Sequence, residues 1–356
     1  MPIDPDAQNL LAMLKAANRP SLDTLSAPEA RAAYLAGRAL LQPDLPEVAE
    51  VKDFVAPGPH GPVPLRLYRG KGLNAGPAPT LIFAHGGGWV IGDCDTHDYV
   101  CRKLANDARC VVVSIDYRMG PEHKFPAAIE DSLAAAQYVA DQGAALGVDV
   151  ARLAIGGDSA GGNISAVLAL MARDGVAPKL VHQLLLYPAV DMKMDAPSFG
   201  RVPDDYPLSP RIARWFRDTY MSGAHEHMDW RASPLHAASH KGVASAFVLT
   251  ARHDPLCDEG RAYAHKLEEA GVRVWHLDMN DQLHGFLTWG KVVRAADAAL
   301  EMAAASLRYA FATAGGLSPP RPNGLLPVSK LMRSRQQPTS TGEGGGGGRG
   351  MLRDLR

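Results

Sequence analysis

The chain has 356 residues, 46% apolar and 21% charged, with a net charge of −1; this is an ordinary soluble composition with enough length to bury a large core. The neutral balance argues against a nucleic-acid surface. Met1-Pro2-Ile3-Asp4-Pro5-Asp6 lacks the basic start and apolar run of a signal peptide, and no uncharged apolar stretch of about 18 residues occurs, so the expectation is a cytoplasmic protein without stable membrane insertion. The four cysteines, Cys94, Cys101, Cys110 and Cys257, form no CxxC pair and no metal spacing. They are expected as free thiols, and neither a metal nor a cofactor is called for.

Taken in order, residues 1–48 are expected to be helical and separate from any sheet: Leu10, Leu11 and Leu14 mark one helix, and a second runs from Pro28 to about Leu41. From residue 49 strand-like and helix-like runs alternate, which predicts an α/β class with a mainly parallel sheet flanked by helices. That core falls in two parts, 49–194 and 232–314, divided by an insertion at 195–231. Thr80-Leu81-Ile82-Phe83-Ala84 reads as a buried strand leading into His85-Gly86-Gly87-Gly88-Trp89. Consecutive glycines are entropically costly, so a loop that keeps them serves positive φ or close approach. Their N–H groups can converge on one small space, as an oxyanion hole requires, with His85 bracing the loop. No Gly-Lys-Ser/Thr follows, so this is not a phosphate loop. In the block Asp116 to Ala127, Arg118 and Glu122 are expected to pair beneath the site, with prolines fixing the backbone before a helix near Ala127.

Leu153-Ala154-Ile155 predicts a strand, Ser165 to Arg173 a helix, and Gly157-Asp158-Ser159-Ala160-Gly161 the turn between them. Strand, tight turn and helix form the context of a serine nucleophile held in strained backbone, with its N–H at a helix start. Asp158 is assigned to holding the turn's backbone or the helix start. In the 195–231 insertion, Ser209-Pro210 opens a helix whose Trp215, Phe216 and Tyr220 are read as packing it on the core, with direct substrate contact as the alternative. Beyond it, the run 246–251 precedes Asp254, and the run 273–277 precedes His284-Gly285-Phe286. Imidazole can take the serine's proton, and a buried carboxylate can fix its tautomer and stabilise its cation. Asp258 and Asp278 compete for the acid's role, but Asp258 falls where a helix N-terminus favours a capping carboxylate. His236, His240, His265 and His276 lack the strand end and glycine that single out His284. From Gly315 the chain is rich in Pro, Ser, Gly and Arg; 315–356 is expected to be a disordered tail incidental to catalysis.

His85–Trp89, Asp116–Ala127, Gly157–Asn163, Asp254–Gly260 and His284–Phe286, in that order, resemble the bacterial hormone-sensitive-lipase-like α/β-hydrolases, in the branch whose nucleophile motif reads GDSAGG. Cys257 departs from the family's usual basic or larger residue. The resemblance implies an α/β-hydrolase fold whose helical cap includes 1–48. It implies Ser159 as nucleophile, His284 as base, Asp254 as its orienter, and oxyanion donors at Gly87, Gly88 and Ala160. The activity implied is that of a serine carboxylesterase on small-molecule esters of short to medium acyl chain. The same triad serves an amidase or formamidase, so that reading stays open. A non-catalytic receptor of this fold loses the base, which is retained here. A homodimer is left open.

Overall fold

The computed structural model describes residues 2–316; apart from Gly315 and Gly316, which directly follow the last helix, the tail expected at 315–356 lies outside the described residues. Eight strands form one sheet: β1 (Glu50–Gly58), β2 (Gly61–Arg69), β3 (Ala78–Ala84), β4 (Val111–Ile115), β5 (Val148–Asp158), β6 (His182–Leu186), β7 (Ser245–His253) and β8 (Val274–Leu283). Their order is β1-β2-β4-β3-β5-β6-β7-β8. β2 pairs antiparallel with both β1 and β4, and every later pairing is parallel. Parallel strands covered on both faces read as unbroken apolar runs, and β4, Val111-Val112-Val113-Ser114-Ile115, is buried throughout.

Strand alternation divides the core into two layers. Leu81 and Phe83 of β3 join the layer under α3 (Asp98–Ala108) and α9 (Ala295–Ala314). Ile82 and Ala84 face the layer of α4 (Ala127–Asp141), α6 (Ala160–Arg173) and α8 (Cys257–Glu269). A short helix, Gly143–Leu146, follows α4.

Three helices lie outside this frame. The first runs Pro5–Ala17; Asp4 caps it by accepting from the Asp6 and Ala7 N–H groups, and Asn18 ends it in the left-handed region. Of its expected apolar set Leu10 is fully buried, Leu11 partly so, and Leu14 is exposed, so the buried stripe is narrower than the sequence suggests. The second runs Ala27–Leu41 behind a Ser26/Glu29 capping box. The third, Pro210–Tyr220, begins where Ser209 accepts the Ile212 N–H. An Arg211–Asp23 ion pair ties the third to the turn between the first two.

Candidate active site

Ser159 sits between β5 and α6 at φ 54°, ψ −115°, a conformation that a side-chain-bearing residue rarely holds unless its surroundings impose it. Those surroundings are tight: a Cβ on Gly161 would lie 1.9 Å from the Ala84 carbonyl oxygen. The Ser159 N–H donates to the Leu186 oxygen at 2.9 Å, securing the turn to the end of β6. α6 starts at Ala160, earlier than the Ser165 inferred from its apolar content, because Gly161 and Gly162 are needed for packing and lie inside the helix.

Oγ of Ser159 lies 2.9 Å from Nε2 of His284, whose Nδ1 lies 2.6 Å from Oδ2 of Asp254. Asp254 is fully buried, and its other oxygen accepts the Leu256 N–H at 2.8 Å. The carboxylate therefore sets the tautomer, with Nδ1–H donating and Nε2 free to accept from the hydroxyl. The rival acids lie elsewhere. Asp258 is in the first turn of α8 but pairs with Arg201 and Arg261 rather than capping; Asp278 bonds Arg261 and Thr250. His276 contacts Thr250, His240 the Pro234 oxygen, His265 Glu269 and His236 Asp191.

The glycine loop after β3 faces the same turn. Gly87 and Gly88 have φ of 125° and 60°, and a Cβ on Gly88 would fall 2.2 Å from Cγ of Phe216. The Gly86 N–H donates to Asp158 Oδ1 at 2.8 Å. Among the described residues the N–H groups of Gly87, Gly88 and Ala160 donate to no protein acceptor. Asp158 thus binds the loop opposite rather than its own helix start, and His97 pairs with it at 3.1 Å. Burial alone would raise the Asp158 carboxyl, yet His97, Arg38 and the Gly86 N–H together hold it below its ordinary value.

His85 braces the loop through its Nδ1, 2.8 Å from the Gly86 oxygen, and by stacking on Tyr117 at 4.3 Å. Tyr117 donates its hydroxyl to the His85 oxygen at 2.6 Å. Burial, with His97 beside it, lowers His85 to about 4, so the ring stays neutral. The expected Arg118–Glu122 pair does not form. Arg118 binds Asp131 on α4 in bidentate fashion, at 2.8 Å for each bond, and Glu122 binds Arg31 of the second helix. Asp131 lies 13 residues beyond Arg118 and Arg31 lies 91 before Glu122, and no motif marks either partner; His97 is likewise without a sequence signal. The third helix packs by Tyr220 stacking on Trp89 at 5.2 Å and by Phe216 covering Gly88. All four cysteines are buried free thiols.

The sheet order, with a serine turn after its central strand β5 and the acid and histidine after β7 and β8, defines an α/β-hydrolase. The chain belongs to the hormone-sensitive-lipase-like group of that superfamily, since residues 81–288 match the family described as alpha/beta hydrolase fold. It is similar to the carboxylic ester hydrolase LipN of Mycobacterium tuberculosis, 43% identical over 247 residues that cover 67% of this chain and 64% of LipN, just under two thirds of that relative. The ethyl acetate hydrolase of Pseudomonas putida is 34% identical over 86% of this chain and 99% of its own. Among solved structures, the ester-hydrolase EH1AB1 from the metagenome of Lake Arreo, complexed with a bipyridine phosphonate derivative, is 42% identical. It superposes with a TM-score of 0.84 over 88% of this chain and 99% of its own. No helix among the described residues is long and apolar enough to cross a membrane.

Proposed function

We propose that this carboxylic ester hydrolase cleaves short- to medium-chain acyl esters through Ser159, His284 and Asp254 by way of an acyl-enzyme. The observation that carries the reading is the hydrogen-bonded line from Ser159 Oγ through both nitrogens of His284 to the buried Asp254. His284 Nε2 takes the hydroxyl proton as Oγ attacks the ester carbonyl carbon. The negative charge on the former carbonyl oxygen is received by the Gly87, Gly88 and Ala160 N–H groups, each donor being worth roughly 3–4 kcal/mol. When the tetrahedral adduct collapses, the bond to the alcohol oxygen breaks and His284 returns the proton to it. Water, deprotonated by the same ring, then attacks the acyl carbon and releases the acid.

Segments 1–48 and 195–231 form the cap over a core made of 49–194 and 232–314. Phe216 against Gly88 and Trp89 under Tyr220 place bulky side chains at the loop that receives the carbonyl, which favours modest acyl groups. The test is a p-nitrophenyl ester series from two to sixteen acyl carbons. Turnover should peak at short to medium chains and fall by about 10⁴–10⁶ in Ser159→Ala and His284→Ala. Near-wild-type turnover by Ser159→Ala refutes the mechanism, and an optimum at the longest chains refutes the substrate range. Faster acyl transfer from an aryl amide than from the matched aryl ester would move the assignment to amide hydrolysis.

A further inference from the structure

The second helix, α2 in the sequence of α1 (Pro5–Ala17) and α2 (Ala27–Leu41), carries a buried cation whose bonding is incomplete. Arg38 is 5% exposed, and a guanidinium is charged at every working pH. It makes no ion pair among the described residues. Its Nη2 donates to the Tyr34 hydroxyl, and its guanidinium carbon lies 4.4 Å from the Tyr34 ring centre and 5.8 Å from that of Trp289. Its Nη1 is buried without a partner. Aromatic faces offset only part of the desolvation of such a group, and an unmet buried donor is costly.

A second unmet donor is the hydroxyl of Tyr187, also buried without a partner. The Tyr187 ring centre is 4.8 Å from that of His284. Arg38 is close enough to act through its charge on both Tyr187 and Asp158. Asp158 does not satisfy it, being engaged by the Gly86 N–H and His97. Trp289, beneath the guanidinium, ends the turn that follows His284. The cap helix therefore brings a buried cation, and the residue after β6 a buried phenol, to the neighbourhood of the serine turn and the base.

We propose that Arg38 Nη1 and the Tyr187 hydroxyl form a recognition site for a carboxylate carried on the alcohol half of the ester, making acylated hydroxy acids the favoured substrate class. The proposal rests on the ester-hydrolase roles given to Ser159 and His284. His284 returns its proton to the departing alcohol, so that oxygen leaves beside the imidazole, and a group packed on the imidazole faces the alcohol half. Two donors, one of them cationic, suit the two oxygens of a carboxylate.

The experiment compares kcat/KM for 4-acetoxybutanoate with that for pentyl acetate, its uncharged counterpart, in the wild type and in Arg38→Gln, Arg38→Lys and Tyr187→Phe. The wild type should favour the anion about tenfold or more. Arg38→Gln should erase that ratio, Tyr187→Phe should reduce it several-fold, and Arg38→Lys should keep part of it. If Arg38→Gln does not fold, the other two variants report the same ratio. A wild-type ratio at or below one, or a ratio unchanged in folded variants while both substrates slow alike, overturns the proposal and leaves Arg38 as a cap-packing residue. Ser159-dependent turnover of pentyl acetate without anion preference sinks this site alone, whereas loss of turnover of both esters by the wild type sinks the ester-hydrolase mechanism with it.

Discussion

Acidification should weaken this fold through one buried imidazole before the chemistry of the base is considered. His182 is fully buried on β6, with Nδ1 2.9 Å from Ser245 Oγ, Nε2 3.3 Å from Ser306 Oγ and the Trp275 ring edge-on at 5.7 Å. Burial lowers its pKa from 6.5 to about 3. Between those values the unfolded chain binds a proton that the native state refuses, so stability is full above pH 6.5 and declines as pH falls towards 3. At about 1.4 kcal/mol per unit, the loss from this group at pH 5 is about 2 kcal/mol. His85, lowered to about 4 by burial and by His97, adds a similar loss over the same interval. Denaturant unfolding of the wild type and His182→Gln at pH 7.5 and pH 5 isolates the first contribution. The substitution is expected to lower stability at pH 7.5, yet its further loss on going to pH 5 should be smaller than the wild type's by about 2 kcal/mol. Equal losses in the two proteins would show that His182 does not stay neutral in the fold, and the reasoning would fail.

Three substitutions test the scaffolding of the site. Asp158→Asn removes the charge that holds the Gly86 N–H and His97; kcat should drop about tenfold with KM within about twofold, and an unchanged kcat would contradict the bracing role. Gly88→Ala puts a Cβ 2.2 Å from Phe216 Cγ at φ 60°, so kcat should fall by about 10²–10³ through the misplaced oxyanion donor. Persistence of that loss after adding Phe216→Ala would trace it to the backbone, and an undiminished kcat in Gly88→Ala would refute the assignment of the loop. Arg118→Ala strands the buried Asp131 carboxylate, which should cost about 3–5 kcal/mol and lower the melting temperature while leaving acyl-chain preference unchanged; adding Asp131→Asn should restore much of the loss. An unaltered melting temperature with altered preference would instead give Arg118 a role in substrate recognition.

The parts of the site legible in the sequence lie at strand ends, and all but Asp254 carry glycine beside them. His85–Trp89, Gly157–Gly161 and His284–Gly285 each combine a chemical group with the residue its backbone geometry demands, so residue type alone points to a place in the fold. Pairings between elements carried no such mark. Arg118 and Glu122 lie close in the chain and invite pairing beneath the site, yet the partner of Glu122, Arg31, is 91 residues away, and Arg118 reaches into α4. Which elements meet depends on a sheet order in which β3 lies between β4 and β5, and a single sequence does not display that order. Asp158 illustrates the intermediate case. Its importance was visible beside the serine, but its bond to Gly86, 72 residues away, is made only when β3 and β5 pair.

Arg31 also bears on how substrate specificity in this protein could be altered. From α2 it donates to the Val90 and Gly120 oxygens at 2.8 Å each and grips Glu122 with both terminal nitrogens. One side chain thus fastens α2 to the segments that flank the glycine loop. Lifting that edge would break several bonds at once and leave two carbonyl oxygens competing for water, so the pocket's dimensions are fixed by side-chain volume more than by hinge angle. Engineering towards bulkier esters would then succeed by trimming residues such as Phe216, and randomising the loops at either end of α2 would mostly return poorly folded proteins.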